Sequence, residues 1–302
     1  MDLENFVYDP DPGKGPPGGY SPEPGVGLGL LAELHGKWVG TGFNTIWRPN
    51  QLSSGQDRFL ELNVTEETLE FAEISGSIPN RGLLQPDLEM AGLHYLQQIA
   101  DANVPAPGNG LHVEPGVWLN IPSTTDPAES ASVARLASIP HGTTILAQGI
   151  SSYATGAPTI PAVNINPFPI GNPGAATPFP EQNLLTNTPF RTADLAGIDQ
   201  GMVDNPNSVL TSRINPPDIV STITLHVATN DLPVFGGGTL GTAFLVGGPG
   251  GPNAGVAQVS ATFWIEELAE GPPRFQLQYS QVVILNFNNL SWPHVTVATL
   301  ER

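Results

Sequence analysis

Ile219-Val220-Ser221-Thr222-Ile223-Thr224-Leu225-His226-Val227 alternates: Ile219, Ile223, Leu225 and Val227 share one face, and Thr222, Thr224 and His226 share the other. This is the period-two pattern of a strand that buries one side. The rhythm returns twice. In residues 257–266, Ala257, Val259, Ala261, Phe263 and Ile265 oppose Gln258, Ser260, Thr262, Trp264 and Glu266. In residues 275–285, Phe275, Leu277 and Tyr279 oppose Gln276, Gln278 and Ser280. Three such segments joined by short glycine-containing turns predict an antiparallel meander.

Strand signals continue outward from this block. A strong strand is expected over 36–48, and others near 59–64, 69–74, 90–99, 111–121, 133–139, 144–149, 239–246 and 292–301. About ten strands with no credible helix between them predict an all-β antiparallel barrel, closed or nearly closed. Residues 28–34 read as a turn of helix. Residues 1–27 are rich in Pro and Gly and poor in large apolar groups, so they read as a flexible arm, and 28–302 as a single barrel domain. The segment 151–217 is long, proline-rich and irregular, yet carries Phe168, Ile170, Phe179, Leu184, Leu185 and Phe190 at intervals. It is expected to pack across the barrel, where it could serve as a lid.

Composition excludes several functions. The 302 residues carry 28 acidic and 10 basic side chains, a net charge of −18. A nucleic acid or an anionic membrane needs a cluster of cations, and this chain has none to offer, so neither partner is expected. Cysteine is absent, which removes disulfides, thiolate catalysis and Cys-based metal sites. The acidic opening Met1-Asp2-Leu3-Glu4-Asn5 does not resemble a signal peptide, and no run of 18 apolar residues occurs. A cytoplasmic location is expected.

Chemistry must then come from six histidines, carboxylates and hydroxyls. Gly236-Gly237-Gly238-Thr239-Leu240-Gly241 lacks the lysine and following helix of a phosphate cradle and reads as a turn. His112 and Glu114, at i and i+2, share a strand face and could begin a non-heme metal site; a hydrogen-bonded strand end is the plainer use of such a pair. His141 marks a turn, His226 a polar strand face, and His35 a loop or cap. His294 opens the last strand, and its same-face neighbours Thr296, Ala298 and Leu300 include two small side chains. They would leave volume for a ligand, although a core histidine bonded to a neighbour fits the pattern equally.

Gly36-Lys37-Trp38-Val39-Gly40-Thr41-Gly42 places Trp38, Gly40 and Gly42 on one face. The two glycines permit close approach of backbone, either from a strand crossing at barrel closure or from a bound ligand. This stretch, with Thr45-Ile46, resembles the opening strand of the nitrobindins, heme-binding barrels of the fatty-acid-binding-protein and lipocalin type. The final His294-Val295-Thr296-Val297-Ala298-Thr299-Leu300 is similar to the strand that carries their proximal histidine. The resemblance implies heme b as cofactor and His294 as the iron ligand. Trp38, Gly40, Gly42, Thr296 and Ala298 would line the heme, and the ligands would be NO, O2, peroxynitrite or peroxide. If the chain is an enzyme, the resemblance implies heme-dependent isomerase or peroxidase-type chemistry. The alternative is a metal-free barrel that binds an apolar small molecule. Pairing of the first and last strands is also implied, because a closed barrel demands it.

Overall fold

A computed structural model describes residues 27–51, 55–229, 236–272 and 274–302. Ten strands form the barrel wall: β1 (Gly36–Pro49), β2 (Arg58–Glu73), β3 (Leu88–Asp101), β4 (Gly110–Ile121), β5 (Ser132–Ile139), β6 (Thr143–Thr155), β7 (Ile219–Ala228), β8 (Gly255–Leu268), β9 (Phe275–Phe287) and β10 (Leu290–Glu301). Each pairs antiparallel with the next, and β1 pairs with β10 from Val39 against Glu301 to Thr45 against Val295, so the sheet closes. The expected all-β closed barrel is what forms. Residues 1–26 of the expected arm lie outside the described residues. Among the described residues no helix is long and apolar enough to cross a membrane.

The two glycines of β1 serve the closure. A Cβ on Gly40 would stand 2.1 Å from the Thr299 carbonyl oxygen, and one on Gly42 would stand 2.2 Å from that of Val297. Of the two close approaches open to the sequence, the crossing strand takes this one. Between β9 and β10 the hairpin turns on Asn288 and Asn289, with φ of 52° and 60°, the left-handed pair that a two-residue turn requires.

One end of the barrel is plugged. The 3₁₀ helix Gly29–Leu34 inserts Leu31 and Leu34 into the apolar interior beside Trp38. The Trp38 indole N–H donates to the Leu34 carbonyl at 2.7 Å, and the Arg302 guanidinium lies over the Trp38 ring. The expected helical turn at 28–34 is therefore the stopper.

The long excursion packs on the outer wall of the barrel. Ile165, Ile198, Val203 and Leu210 lie in one apolar cluster with Phe43, Trp47, Leu60, Trp264, Val295 and Val297. Phe43, Trp47, Trp264, Val295 and Val297 occupy outward positions, one register step from the inward sets on the same strands. The Trp47 indole N–H donates to the Ile165 carbonyl at 2.9 Å. Arg191 holds the excursion's own turns, donating to the carbonyls of Glu181, Asn183, Leu184 and Thr186. Phe179 and Leu184 also pack on this apolar outer wall, whereas Ile170 and Leu185 stay exposed.

Three strand readings need correction. The segments 59–64 and 69–74 are one strand, β2, along which Glu66 points outward while Glu67 enters the interior. Over 239–246 only Gly238–Gly241 is strand, paired with β6, and Ala243–Val246 is a single helical turn. The link from β7 to β8 spans residues 229–254 and is no short turn.

Candidate functional site

The inner wall changes character along the barrel. Around the plug it is apolar, built from Trp38, Leu69, Phe71, Trp118 and Leu300. Farther along the same strands the inward positions carry Asn44, Glu67, Gln97, Glu114, Arg135 and His294. Buried polar groups at this density require partners, and the structure supplies them in three linked sets.

The first set surrounds an ion pair. Glu114 Oε1 accepts from Arg135 Nη2–H at 2.5 Å and from the Tyr95 hydroxyl, while Glu114 Oε2 lies 3.2 Å from His112 Nε2. Arg135 also donates through Nε to Tyr95 (2.9 Å) and through Nη1 to Gln281 Oε1 (2.6 Å). Glu114 is fully buried and Arg135 nearly so. Burial pushes the Glu114 carboxyl up, but the Arg135 charge with the His112 and Tyr95 hydrogen bonds outweighs it and holds the group low, at about 2. The plainer reading of His112 and Glu114 is what the structure shows. Among the described residues no three metal-ligating side chains gather.

The second set centres on Glu67. Its oxygens accept from the Tyr279 hydroxyl at 2.5 Å and from Thr65 Oγ1 at 2.8 Å, and Tyr279 in turn accepts from Gln97 Nε2 at 2.8 Å. Among the described residues no cation forms an ion pair with it. Burial therefore prevails over these hydrogen bonds and lifts the carboxyl to about 7. A stability effect follows with a definite sign. Between pH 4.5 and 7 the folded chain keeps a proton that the unfolded chain has released, so stability falls as pH rises through that window. Glu67→Gln is expected to remove a loss on the order of 3 kcal/mol at pH 8 and to change little at pH 4. Urea unfolding across pH checks this. A wild-type and variant difference that stays constant with pH would contradict it. Glu266, on the outer wall, is lifted to about 7 by burial against the Gln276 hydrogen bond, so part of the slope persists in the variant.

His294 forms the third set. Asn44 Oδ1 accepts from His294 Nε2–H at 2.8 Å and from Thr296 Oγ1–H at 2.9 Å. An Nε2–H that donates to this oxygen leaves Nδ1 as the basic ring nitrogen. Burial, with repulsion from His112 and His141, lowers the ring to about 3, so it stays neutral. The residue is enclosed by the surrounding chain and keeps some accessible surface.

A cleft of about 900 Å³ is lined by Gly40, Glu67, Ile99, His112 and His141. The His112 and His141 rings stand 5.4 Å apart at its edge. Both act electrostatically on His294, so cleft, carboxyl and three imidazoles belong to one polar half of the molecule.

The remaining residues singled out from the sequence are distributed unevenly. Trp38 and Ala298 are fully buried in the apolar cluster, and Gly40 and Gly42 face the β10 backbone. Thr296 bonds to the amide that holds His294. His226 is exposed on the outer wall, 2.9 Å from Thr262 Oγ1. His141 lies at the β5–β6 turn and His35 at the end of the 3₁₀ plug, as read. Sequence reasoning missed Tyr95, Gln97, Arg135, Tyr279 and the role of Glu67. A signal existed for Arg135: Val133 and Ala137, two residues away on either side, mark its face as inward.

No protein-family model matches this chain, and no curated protein matches it.

Proposed function

We propose that this barrel binds a small molecule in the polar half of its interior, and that the molecule is heme b held through His294. The observation that carries the reading is the placement of that imidazole: inward on the last strand, with Nε2 held by the Asn44 carbonyl oxygen at 2.8 Å. Metal-ligating histidines are oriented in this way, by a hydrogen bond from the second ring nitrogen to an acceptor. A neutral imidazole so oriented would serve as a ligand to heme iron, and no thiolate is present to compete for it. Bound there, heme would supply an iron with a further position for NO, O2 or a peroxide.

The chain's own residues do the rest. Asn44 and Thr296 hold the ring of His294 in place. The plug and the Trp38 cluster close the far end to water. Glu67, facing the cleft, can accept or hand over a proton near neutral pH. Because Thr296, Ala298 and Leu300 are closed by the packed core, the accessible side of His294 is where the ligand must stand.

A metal-free barrel is the second reading. It is favoured by the cleft itself, whose walls offer hydrogen bonds from Glu67 and His112 beside Ile99 and Leu111. Heme titration separates the two. The wild type is expected to take up heme with a Soret band, His294→Ala to lose affinity by at least about tenfold, and Asn44→Leu to lose about ten- to a hundredfold by freeing the ring. Circular dichroism of the same samples reports the fold. A wild type that takes up no heme gives way to the metal-free reading, and a His294→Ala variant that binds as well as wild type places the ligand elsewhere.

A further inference from the structure

A second cavity, of about 820 Å³, lies in the excursion itself and is lined only by residues between 164 and 204. Two of its amides are spent on the frame. The Phe179 N–H donates to Gln182 Oε1 at 2.7 Å, and Gln182 Nε2 donates to Asn166 Oδ1 at 2.8 Å. The Leu184 N–H donates to Gln200 Oε1 at 2.8 Å, and Gln200 Nε2 donates to the Gln182 carbonyl at 2.9 Å and to Asp204 Oδ1 at 2.8 Å. The other polar groups are only half used. Asn164, Asn166 and Asn183 accept through Oδ1 from the Asn166 N–H, Gln182 Nε2 and the Leu185 N–H. Each amide is thereby oriented, and among the described residues its Nδ2 donors and the Asp204 Oδ2 acceptor meet no protein partner. Phe179 adds an aromatic surface to the same cavity. Its ring is held by Arg58 over one face, 4.1 Å from the centroid, and by Trp47 and Trp292 at 6.0 and 5.4 Å.

We infer that this cavity is a binding site for a neutral saccharide. The inference is independent of what the barrel interior binds. Three oriented amide donors and one carboxylate acceptor beside an aromatic ring match a sugar, whose hydroxyls donate as well as accept and whose C–H face is apolar enough to lie on a ring. Charge narrows the class. Asp204 is the single charged residue of the lining. In a chain of net charge −18, an anionic ligand such as a phosphate or a sugar acid would meet repulsion with no cation in the cavity to offset it. A wholly apolar ligand would bury the amide donors and the carboxylate without partners, which costs more than its contacts return. An uncharged, hydroxyl-rich ligand satisfies the polar groups and the ring together. Amides already held by hydrogen bonds, and a ring already held by its neighbours, lose little freedom when such a ligand arrives.

Titration calorimetry of the full chain with maltotriose, cellotriose, xylotriose, mannotriose and chitotriose tests the inference. Tryptophan fluorescence gives a second reading, since Trp47 and Trp292 stand against Phe179. At least one of these sugars is expected to bind with a dissociation constant of about 1 mM or lower. Asp204→Ala is expected to weaken it by about tenfold or more through the loss of a charge-assisted hydrogen bond, and Asn164→Ala by about three- to tenfold. Both residues are exposed and lie on separate segments, so if circular dichroism shows that one variant does not fold, the other decides. Absence of binding by all five sugars at about 10 mM overturns the inference, as does an affinity that is unchanged in the folded variants. Spermidine that binds where no sugar does, and is lost in Asp204→Ala, also overturns it and assigns the cavity to a cation.

Discussion

Arg135→Met is expected to lower the unfolding free energy by about 3–5 kcal/mol at pH 8, because it removes one member of a fully buried ion pair and leaves the other uncompensated. Glu114 would lose its guanidinium donor, and Tyr95 and Gln281 would lose theirs. The pH dependence carries a second signature. In the wild type the Glu114 carboxyl titrates at about 2 in the folded state, below its unfolded value. Its contribution is therefore complete above pH 4.5 and is lost as pH falls toward 2. Without Arg135, burial acts unopposed by that charge and the sign reverses, so the variant gains stability relative to wild type as the carboxyl is protonated. Glu114→Gln combined with Arg135→Met should recover part of the loss, since neutral partners leave no buried charge behind. Urea midpoints at pH 5 and pH 8 decide the matter; a single variant as stable as wild type at both would show that the pair does not hold the barrel.

Gly40→Ala carries the second large effect. A methyl group there would collide with backbone of β10, 2.1 Å from the Thr299 carbonyl oxygen and 2.8 Å from the Leu300 Cα. Neither atom can move without parting the strands that close the barrel. The expected loss is about 3 kcal/mol or more, at the upper end of overpacking penalties. Gly110→Ala is the control, because a Cβ at Gly110 meets nothing within 4 Å. It should be neutral or stabilise by up to about 1 kcal/mol through the unfolded chain. Thermal unfolding of the two variants side by side tests this, and equal midpoints would refute the close-approach role of Gly40.

The heme reading and the two stability effects meet in one part of the molecule. The residues that hold His294 and those that satisfy Glu67 and Glu114 all come from inward positions of the barrel wall. Their partners lie far along the chain: Asn44 and His294 are 250 residues apart, and Glu67 and Tyr279 are 212 apart. A ligand that contacts one set would therefore touch strands from both ends of the sequence, and its binding should stabilise the closed barrel as a whole.

Strand alternation is written in consecutive residues, since neighbouring side chains on an extended backbone point to opposite sides. For that reason the sequence alone determined the all-β class, the meander over 219–285, and the inward placement of Trp38, Gly40, Gly42 and His294. It also determined the absence of thiol chemistry, since the chain has no cysteine. A run of apolar residues without a period, as in 151–217, showed that the segment packs but not against which side of the wall. That depended on the outward set Phe43, Trp47, Val295 and Val297 being apolar as well. The meeting of inward residues across the barrel is set by the register of ten pairings and by their closure, quantities that no single strand carries. Only the tertiary structure could place Arg135 against Glu114, give Glu67 hydrogen bonds but no cation, and turn Asn44 toward His294, because a buried polar group takes its character from partners that the chain brings to it from a distance.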